Sequence, residues 1–180
     1  MPGILQPLPD HVARDVRILL VGINPGIRSA TVGHHFAGYS NRFWKLLYES
    51  RLVTEPIAFD ADGRLPEWRL GITNLIARPT PGIDSLRPDE YADGARVLRR
   101  NVRRWKPETV AFLGVTLFRT VFGVKPREAV ALGPRPERFE GARVFVLPNP
   151  SGRNANYSYA EMLAAFEMLK RQAFRPASHA

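Results

Sequence analysis

Two asparagines stand where a polar side chain can be aimed at a ligand. One is Asn24, in Val21-Gly22-Ile23-Asn24-Pro25-Gly26, and the other is Asn149, in Leu147-Pro148-Asn149-Pro150-Ser151-Gly152. Each follows an apolar run that reads as a buried strand, Val16 to Val21 and Ala142 to Leu147. The proline after each asparagine biases it towards extended backbone, and the flanking glycines permit tight turns or the close approach of another group. An amide orients water and hydrogen-bonds the edge of a ligand, but it cannot take a proton from water at neutral pH. Such a side chain suits a reaction in which positioning and charge stabilisation suffice. Either segment alone is equally explained as an ordinary strand-ending turn, since Asn, Pro and Gly are common turn residues.

The elements that must hold these turns alternate. Strands are expected at about 16–21, 71–76, 109–113 and 142–147, and helices at about 41–49, 88–104, 115–122 and from Ser158 onward with Leu163, Phe166 and Leu169 on one side. Pro88 suits a first helical turn with Asp89 and Glu90 beside it, and Ser158 with Glu161 forms a capping box. Residues 22–40 read as a long loop without structure of its own, 55–68 as loop, and 125–141 as loop with some short strand. Strand–helix alternation implies a three-layer α/β/α architecture: a central, mainly parallel four- to five-stranded sheet covered on both faces. All parallel strands then end on one edge, which receives both Asn-Pro turns, the loop after Ile76 and Gly114. That convergence favours a site over two unrelated turns. Residues 1–180 read as a single domain, with 1–13 and 175–180 as irregular tails.

Composition narrows the partner. There are 26 Lys and Arg against 17 Asp and Glu, a formal charge of +9, which favours a polyanion, nucleic acid first. The absence of cysteine excludes disulfides, thiolate zinc sites and thiolate-held iron–sulfur clusters. Met1 to Asp10 lacks a basic segment followed by an apolar one, so it does not read as a signal peptide. No apolar run of about 18 residues is present, so no membrane partner is expected. The expected location is the cytoplasm, with the protein associated with a bacterial-type nucleoid. No Walker A sequence and no Gly-x-Gly-x-x-Gly follows a strand, which disfavours nucleotide-cofactor enzymes.

Further candidates come from the loops. Arg153-Asn154-Ala155-Asn156 carries no apolar anchor and is expected to protrude, which suits a phosphate contact or insertion into a duplex. Phe36 could be core or could stack on a planar ligand. His34 and His35 lack further ligands at metal-site spacing, so packing is expected and no metal. Arg96, Arg99, Arg100, Arg103 and Arg104 give the third helix a basic face, read first as a solvated surface and second as a DNA contact. Among Asp84, Asp89, Glu90 and Asp93, the last lies in Ala92-Asp93-Gly94-Ala95, where small neighbours allow close approach. Asp93 is therefore the candidate for a carboxylate that takes a water proton or steadies positive charge, with a surface pair to Arg96 as its rival role.

Five segments carry a resemblance. Gly22-Ile23-Asn24-Pro25-Gly26, Gly33-His34-His35-Phe36, Asn41-Arg42-Phe43-Trp44-Lys45, Gly71-Ile72-Thr73-Asn74-Leu75 and Leu147-Pro148-Asn149-Pro150-Ser151-Gly152 occur in this order across about residues 16 to 172. In them the chain resembles the mismatch-specific uracil-DNA and thymine-DNA glycosylases. The resemblance implies a uracil-DNA-glycosylase fold and excision of uracil, or thymine or a damaged pyrimidine, opposite guanine in double-stranded DNA. It implies a monomer that needs no cofactor and leaves an abasic site. In its terms Asn24 positions the attacking water, while Ile23, Gly26, Phe36, Asn74, Asn149 and Ser151 contact the base. Gly152, Arg153 and Asn154 form the loop that enters the duplex. Arg153 stands where bacterial mismatch-type members have Leu, as in thymine-excising eukaryotic members. Asn74 stands where members have either Lys or Asn, and Asn149 where sister uracil glycosylases carry a His that stabilises the uracil anion. A non-catalytic duplex-binding module and a small-molecule α/β enzyme remain the alternatives: the first binds DNA and releases no base, the second has no need of the basic charge.

Overall fold

The computed structural model describes residues 4–174. Strands β1 (Ile18–Gly22), β2 (Leu70–Asn74), β3 (Thr109–Leu113), β4 (Gly133–Phe139) and β5 (Ala142–Leu147) form one sheet in the order β2-β1-β3-β5-β4. β1, β2, β3 and β5 run parallel, and β4 pairs antiparallel with β5 at the edge. The helices are α1 (Ile27–Val32), α2 (Phe43–Glu49), α3 (Pro88–Trp105), α4 (Val115–Phe122) and α5 (Tyr159–Ala173).

Period-two alternation along β1 divides the core in two. Ile18 and Leu20 join Phe43, Leu46 and Leu47 of α2 and Met162, Phe166 and Leu169 of α5. Leu19 and Val21 join Leu98 and Val102 of α3 and Leu117 and Phe118 of α4. Every residue of β1 is buried, as a central parallel strand covered on both faces requires. The result is the three-layer arrangement expected from the sequence, with one antiparallel edge strand. Truncating one of these leucines to alanine would cost about 2–5 kcal/mol.

Two segments depart from expectation, and a third gives the short strand expected within 125–141 its place. The stretch 22–40 contains α1, a short helix with no side-chain cap that ends at Gly33 in the left-handed region (φ 79°). It is held by tertiary bonds instead: Ala37 N donates to Ser29 Oγ at 2.9 Å and Arg28 Nε to the Ala37 carbonyl at 2.7 Å. Residues Phe59–Trp68 wind into consecutive 3-10 turns. β4 carries Pro134 and Pro136, which an edge strand tolerates because its outer N–H groups need no partner; a register shift between Arg135 and Arg138 marks the irregularity. The lead-in is irregular but not loose. His11 pairs with Ile72 as an antiparallel bridge, so residues near it add to the outer edge of β2. Of the expected tails at 1–13 and 175–180, residues 1–3 and 175–180 lie outside the described residues. Among the described residues no helix is long and apolar enough to cross a membrane.

The strand order reverses between β1 and β3, and in such sheets the ligand crevice lies beyond the carboxyl ends at the reversal. β1 and β5 are separated there by β3 alone, so their exits stand about 10 Å apart at 4.7–4.9 Å per strand.

Candidate active site

Asn24 leaves β1 half-buried, and its amide is held by the loop after β2. Nδ2 donates to the Arg78 carbonyl at 2.9 Å, to Thr80 Oγ1 at 2.8 Å and, more weakly, to the Pro25 carbonyl at 3.3 Å. Thr80 Oγ1 gives its own hydrogen to the Gly82 carbonyl at 2.8 Å, so towards Asn24 it acts as an acceptor. Every group around Nδ2 therefore accepts. A flipped amide would set oxygen against oxygen, and the network fixes the orientation. Oδ1 accepts no bond from any described residue and remains available to one external donor. The Arg78 carbonyl is steadied by its own side chain, whose guanidinium grips Glu90 of α3 at 2.7 and 2.9 Å and the Ser85 carbonyl at 2.8 Å. That clamp holds the Glu90 carboxyl down at about 2, the Arg78 guanidinium first and the Arg87 backbone N–H second. The sequence does not single out Arg78 or Thr80, and Glu90 reads there only as an acid at a helix start. The available signal was Arg78-Pro79-Thr80-Pro81-Gly82, a hydroxyl residue between two prolines at a strand exit.

Asn74 ends β2 beside Gly22, its register partner at the end of β1. A Cβ on Gly22 would lie 2.7 Å from Asn74 Oδ1 and 3.2 Å from Phe36 Cζ, so glycine is what lets amide and ring converge there. Phe36 stacks on Phe43 of α2, with centroids 4.2 Å apart and 29° between planes. Its backbone is left-handed (φ 51°), which is unfavourable for a phenylalanine. Bonds on both sides hold it: His35 N donates to Asp62 Oδ2 at 2.8 Å, Trp44 Nε1 donates to the His35 carbonyl at 3.2 Å, and Ala37 is gripped by Ser29 and Arg28.

Behind Phe36 lies a cluster the sequence does not announce, because its members are far apart in the chain. His11, His35 and Asp62 bring ligand-type atoms within 4.8 Å of one another. His35 is 1% exposed; its Nε2 lies 2.8 Å from the Pro9 carbonyl and its Nδ1 3.4 Å from Asn74 Nδ2. Nε2 is engaged by the Pro9 carbonyl, and Nδ1 faces the amide nitrogen of Asn74. Asp62 is 2% exposed and receives His34 at 3.0 Å and His11 at 3.4 Å on Oδ1. Burial pushes the His35 imidazole below its usual range, against the opposing pull of the Pro9 carbonyl and Asp62.

The second Asn-Pro turn is braced from within. Asn149 Oδ1 accepts from Ser151 N at 3.0 Å, the Asn149 carbonyl accepts from Asn154 Nδ2 at 3.0 Å, and Ser151 Oγ accepts from Arg153 N at 3.3 Å. The turn also docks on the loop before α2. Arg42 N donates to the Pro150 carbonyl at 2.9 Å, and a Cβ on Gly152 would collide with Ser40. Of the three residues expected to form the projecting tip, only Arg153 is exposed. Gly152 is pressed against Ser40, and Asn154 staples the turn, its Oδ1 accepting from Asn156 N at 3.0 Å. Among the described residues no carboxylate pairs with the Arg153 guanidinium.

Two other expected site residues sit elsewhere. Ile23 is 6% exposed within the core cluster under α3 and α4, so its side chain serves packing rather than a ligand. Asp93 points to solvent on α3, two-thirds exposed and 3.3 Å from Arg96. The small residues beside it have another cause: a Cβ on Gly94 would collide with the Leu75 carbonyl, so α3 is pressed onto the exit of β2. Gly26 is exposed with open space around it. The α3 arginines are largely occupied, Arg99 and Arg103 by Glu140 and Arg96 by Asp93.

The chain and its fold have known relatives. The family model described as the uracil DNA glycosylase superfamily matches residues 9–170. A protein of Schizosaccharomyces pombe, named a G/U mismatch-specific uracil DNA glycosylase, is 41% identical over 164 residues, which cover 87% of this chain and 50% of that protein. The chain thus spans about half the length of this curated relative. The fold is similar to the solution structure of a candidate uracil DNA glycosylase from Methanosarcina acetivorans, with a TM-score of 0.63 and 18% identity over 92% of this chain and 98% of that one. By the extent of the family match, which takes in both Asn-Pro turns, the cluster behind Phe36 and the lead-in from Pro9, the chain belongs to the uracil DNA glycosylase superfamily.

Proposed function

We propose that the protein is a monofunctional DNA glycosylase that excises uracil from guanine mismatches in double-stranded DNA and leaves an abasic site. Thymine and damaged pyrimidines opposite guanine fall within the same reading. The observation that carries it is the Asn24 amide, locked by Arg78 and Thr80 with its oxygen free. The oxygen of an amide so held accepts a hydrogen bond from a water and aims the water's lone pair. The name of the fission-yeast relative supports uracil opposite guanine as the substrate class.

The steps follow from the residues. The target nucleotide leaves the stack, and the base lies against the face of Phe36 that Phe43 does not cover. Asn74 meets its ring edge. Arg153 enters the space vacated in the duplex or meets the backbone beside it, offsetting part of the unstacking cost. The bond between the sugar C1′ and the base nitrogen then breaks with its electron pair going to the base. Backbone N–H groups near the two turns stabilise the anion, and the water held by Asn24 adds to C1′ and loses a proton to solvent. Because C1′ is already electron-poor when water arrives, orientation rather than deprotonation is what Asn24 must supply. No carboxylate is required, which agrees with Asp93 facing solvent.

The test is incubation of excess protein with a labelled duplex holding one guanine–uracil pair, in chelator. Alkali-labile abasic sites are expected. Binding without release over an extended incubation would instead identify a duplex-binding module.

A further inference from the structure

The amide of Asn74 can face the pocket with its oxygen or its nitrogen, and these choices select different ligands. Oxygen accepts a hydrogen from a ring N–H, as uracil and thymine carry at N3. An NH2 group donates to a ring nitrogen lone pair, as cytosine carries at the same place. Which way the amide faces is set behind it. The Pro9 carbonyl can only accept, and it lies 2.8 Å from His35 Nε2, so Nε2 holds the hydrogen. The ring is 1% exposed and its pKa is lowered by burial, so near neutral pH it is uncharged and Nδ1 keeps its lone pair. The group facing Nδ1 must then donate. Asn74 therefore turns its NH2 towards His35, at 3.4 Å, and its oxygen towards Gly22 and Phe36. The 3.4 Å contact is long for a hydrogen bond. The short Pro9 bond, not this contact, fixes the tautomer.

We infer that His35 is a positioning residue which, through Asn74, makes the pocket accept a ring N–H and refuse a ring nitrogen lone pair. The device spans three parts of the chain: the Pro9 carbonyl from the lead-in, His35 from the loop after α1, and Asn74 from β2. The lead-in is docked to the edge of β2 through His11 and Ile72 and through Asp10, which accepts from Thr73 Oγ1 at 2.6 Å. A site built this way discriminates strongly, because a ligand lone pair facing Asn74 Oδ1 leaves two acceptors opposed and unpaired. The inference rests on the glycosylase reading above and names the base edge that reading leaves open.

Single-turnover release of 5-fluorouracil and 5-fluorocytosine opposite guanine tests it, since both bases carry the fluorine and differ at N3 and its neighbouring ring carbon. His35→Phe should slow 5-fluorouracil release about tenfold and leave 5-fluorocytosine release unchanged or faster. The wild-type preference should fall at least about tenfold. His35→Asn, whose amide oxygen replaces the Nδ1 acceptor, should restore the preference to within about threefold. Added to Asn74→Ala, His35→Phe should change the preference no further. A merely structural His35 would slow both bases equally with an unchanged preference, and that result overturns the inference. The tautomer is tested in the wild-type protein, whatever the variants' stability, by 1H–15N NMR of its histidine side chains. Hydrogen on His35 Nε2 and a bare Nδ1 are expected, and a hydrogen on Nδ1 overturns the inference. Failure of the wild type to release either base counts against the glycosylase reading, whereas release with the wrong tautomer counts against this inference alone.

Discussion

Gly22 and Asn74, register partners at the ends of β1 and β2, stand closer than any side chain on Gly22 would permit. A methyl group there would lie 2.7 Å from Asn74 Oδ1 and 3.2 Å from Phe36 Cζ. One of the two must move, and both belong to the proposed base pocket. Gly22→Ala is expected to slow uracil release at least about tenfold, with a Tm within a few degrees of wild type. Wild-type single-turnover kinetics in that variant would place the pocket elsewhere.

Thr80 and Asn24 are 56 positions apart in the chain and 2.8 Å apart in space. Thr80→Val keeps the shape of the side chain and removes the acceptor, leaving one Asn24 N–H only the weaker 3.3 Å contact to the Pro25 carbonyl. Such a loss costs about 1–3 kcal/mol where water cannot replace it. The half-buried position of Asn24 argues for the low end, so a rate reduction of roughly tenfold is expected, equivalent to about 1.4 kcal/mol. Affinity for mismatch duplex should hold. A rate within about twofold of wild type would mean that the Arg78 and Pro25 carbonyls orient the amide without Thr80.

Acid should undo the clamp behind Asn24 in a defined window. The Glu90 carboxyl sits at about 2 in the folded protein, below the ordinary glutamate value of about 4.3. A depressed folded value means that the stability from the Arg78 pair is fully present above about pH 4.3. It is lost as pH falls from there through about 2. The difference in Tm between wild type and Glu90→Gln should be constant from about pH 5 to 8 and shrink on acidification through that window. A difference that grows on acidification would show that Glu90 is not held by Arg78.

Much of this fold was legible in the sequence because its signals are local. The strands Thr109–Leu113 and Ala142–Leu147 are apolar runs, and Pro88, Ser158 and Glu161 mark helix starts by their own chemistry. β4 was legible only as an unplaced short strand within 125–141, since Pro134 and Pro136 read as loop and its pairing with β5 is what fixes it. The site divided in the same way. Asn24, Phe36, Asn74 and Asn149 carry local turn or motif signals. His11 and Asp62 do not, because each acts on a residue tens of positions away, and Thr80 is marked only by the proline on either side of it. Asp93 misled for a related reason. Its small neighbours answer to the approach of α3 to the Leu75 carbonyl, which the sequence does not distinguish from a ligand's approach.

Arg153 is exposed on a turn whose other members are braced or docked. Arg153→Ala should therefore weaken binding to guanine–uracil duplex without disturbing the turn. Its salt dependence should flatten by about one contact if the guanidinium meets a phosphate. Release of uracil from single-stranded DNA should suffer less, since no stack is opened there. Equal losses on single and double strands would remove the wedge role.

The central claim is that Asn24 supplies orientation to the attacking water through an amide oxygen fixed by Arg78 and Thr80. The most direct measurement is single-turnover release of uracil from a guanine–uracil duplex by wild type and Asn24→Ala, with duplex affinity measured alongside. The account predicts a rate lower by about 10²-fold or more, in line with loss of one well-placed catalytic hydrogen-bonding group, and an affinity within a few-fold of wild type. An unchanged rate, or a loss of affinity large enough to explain the slower release, would contradict it.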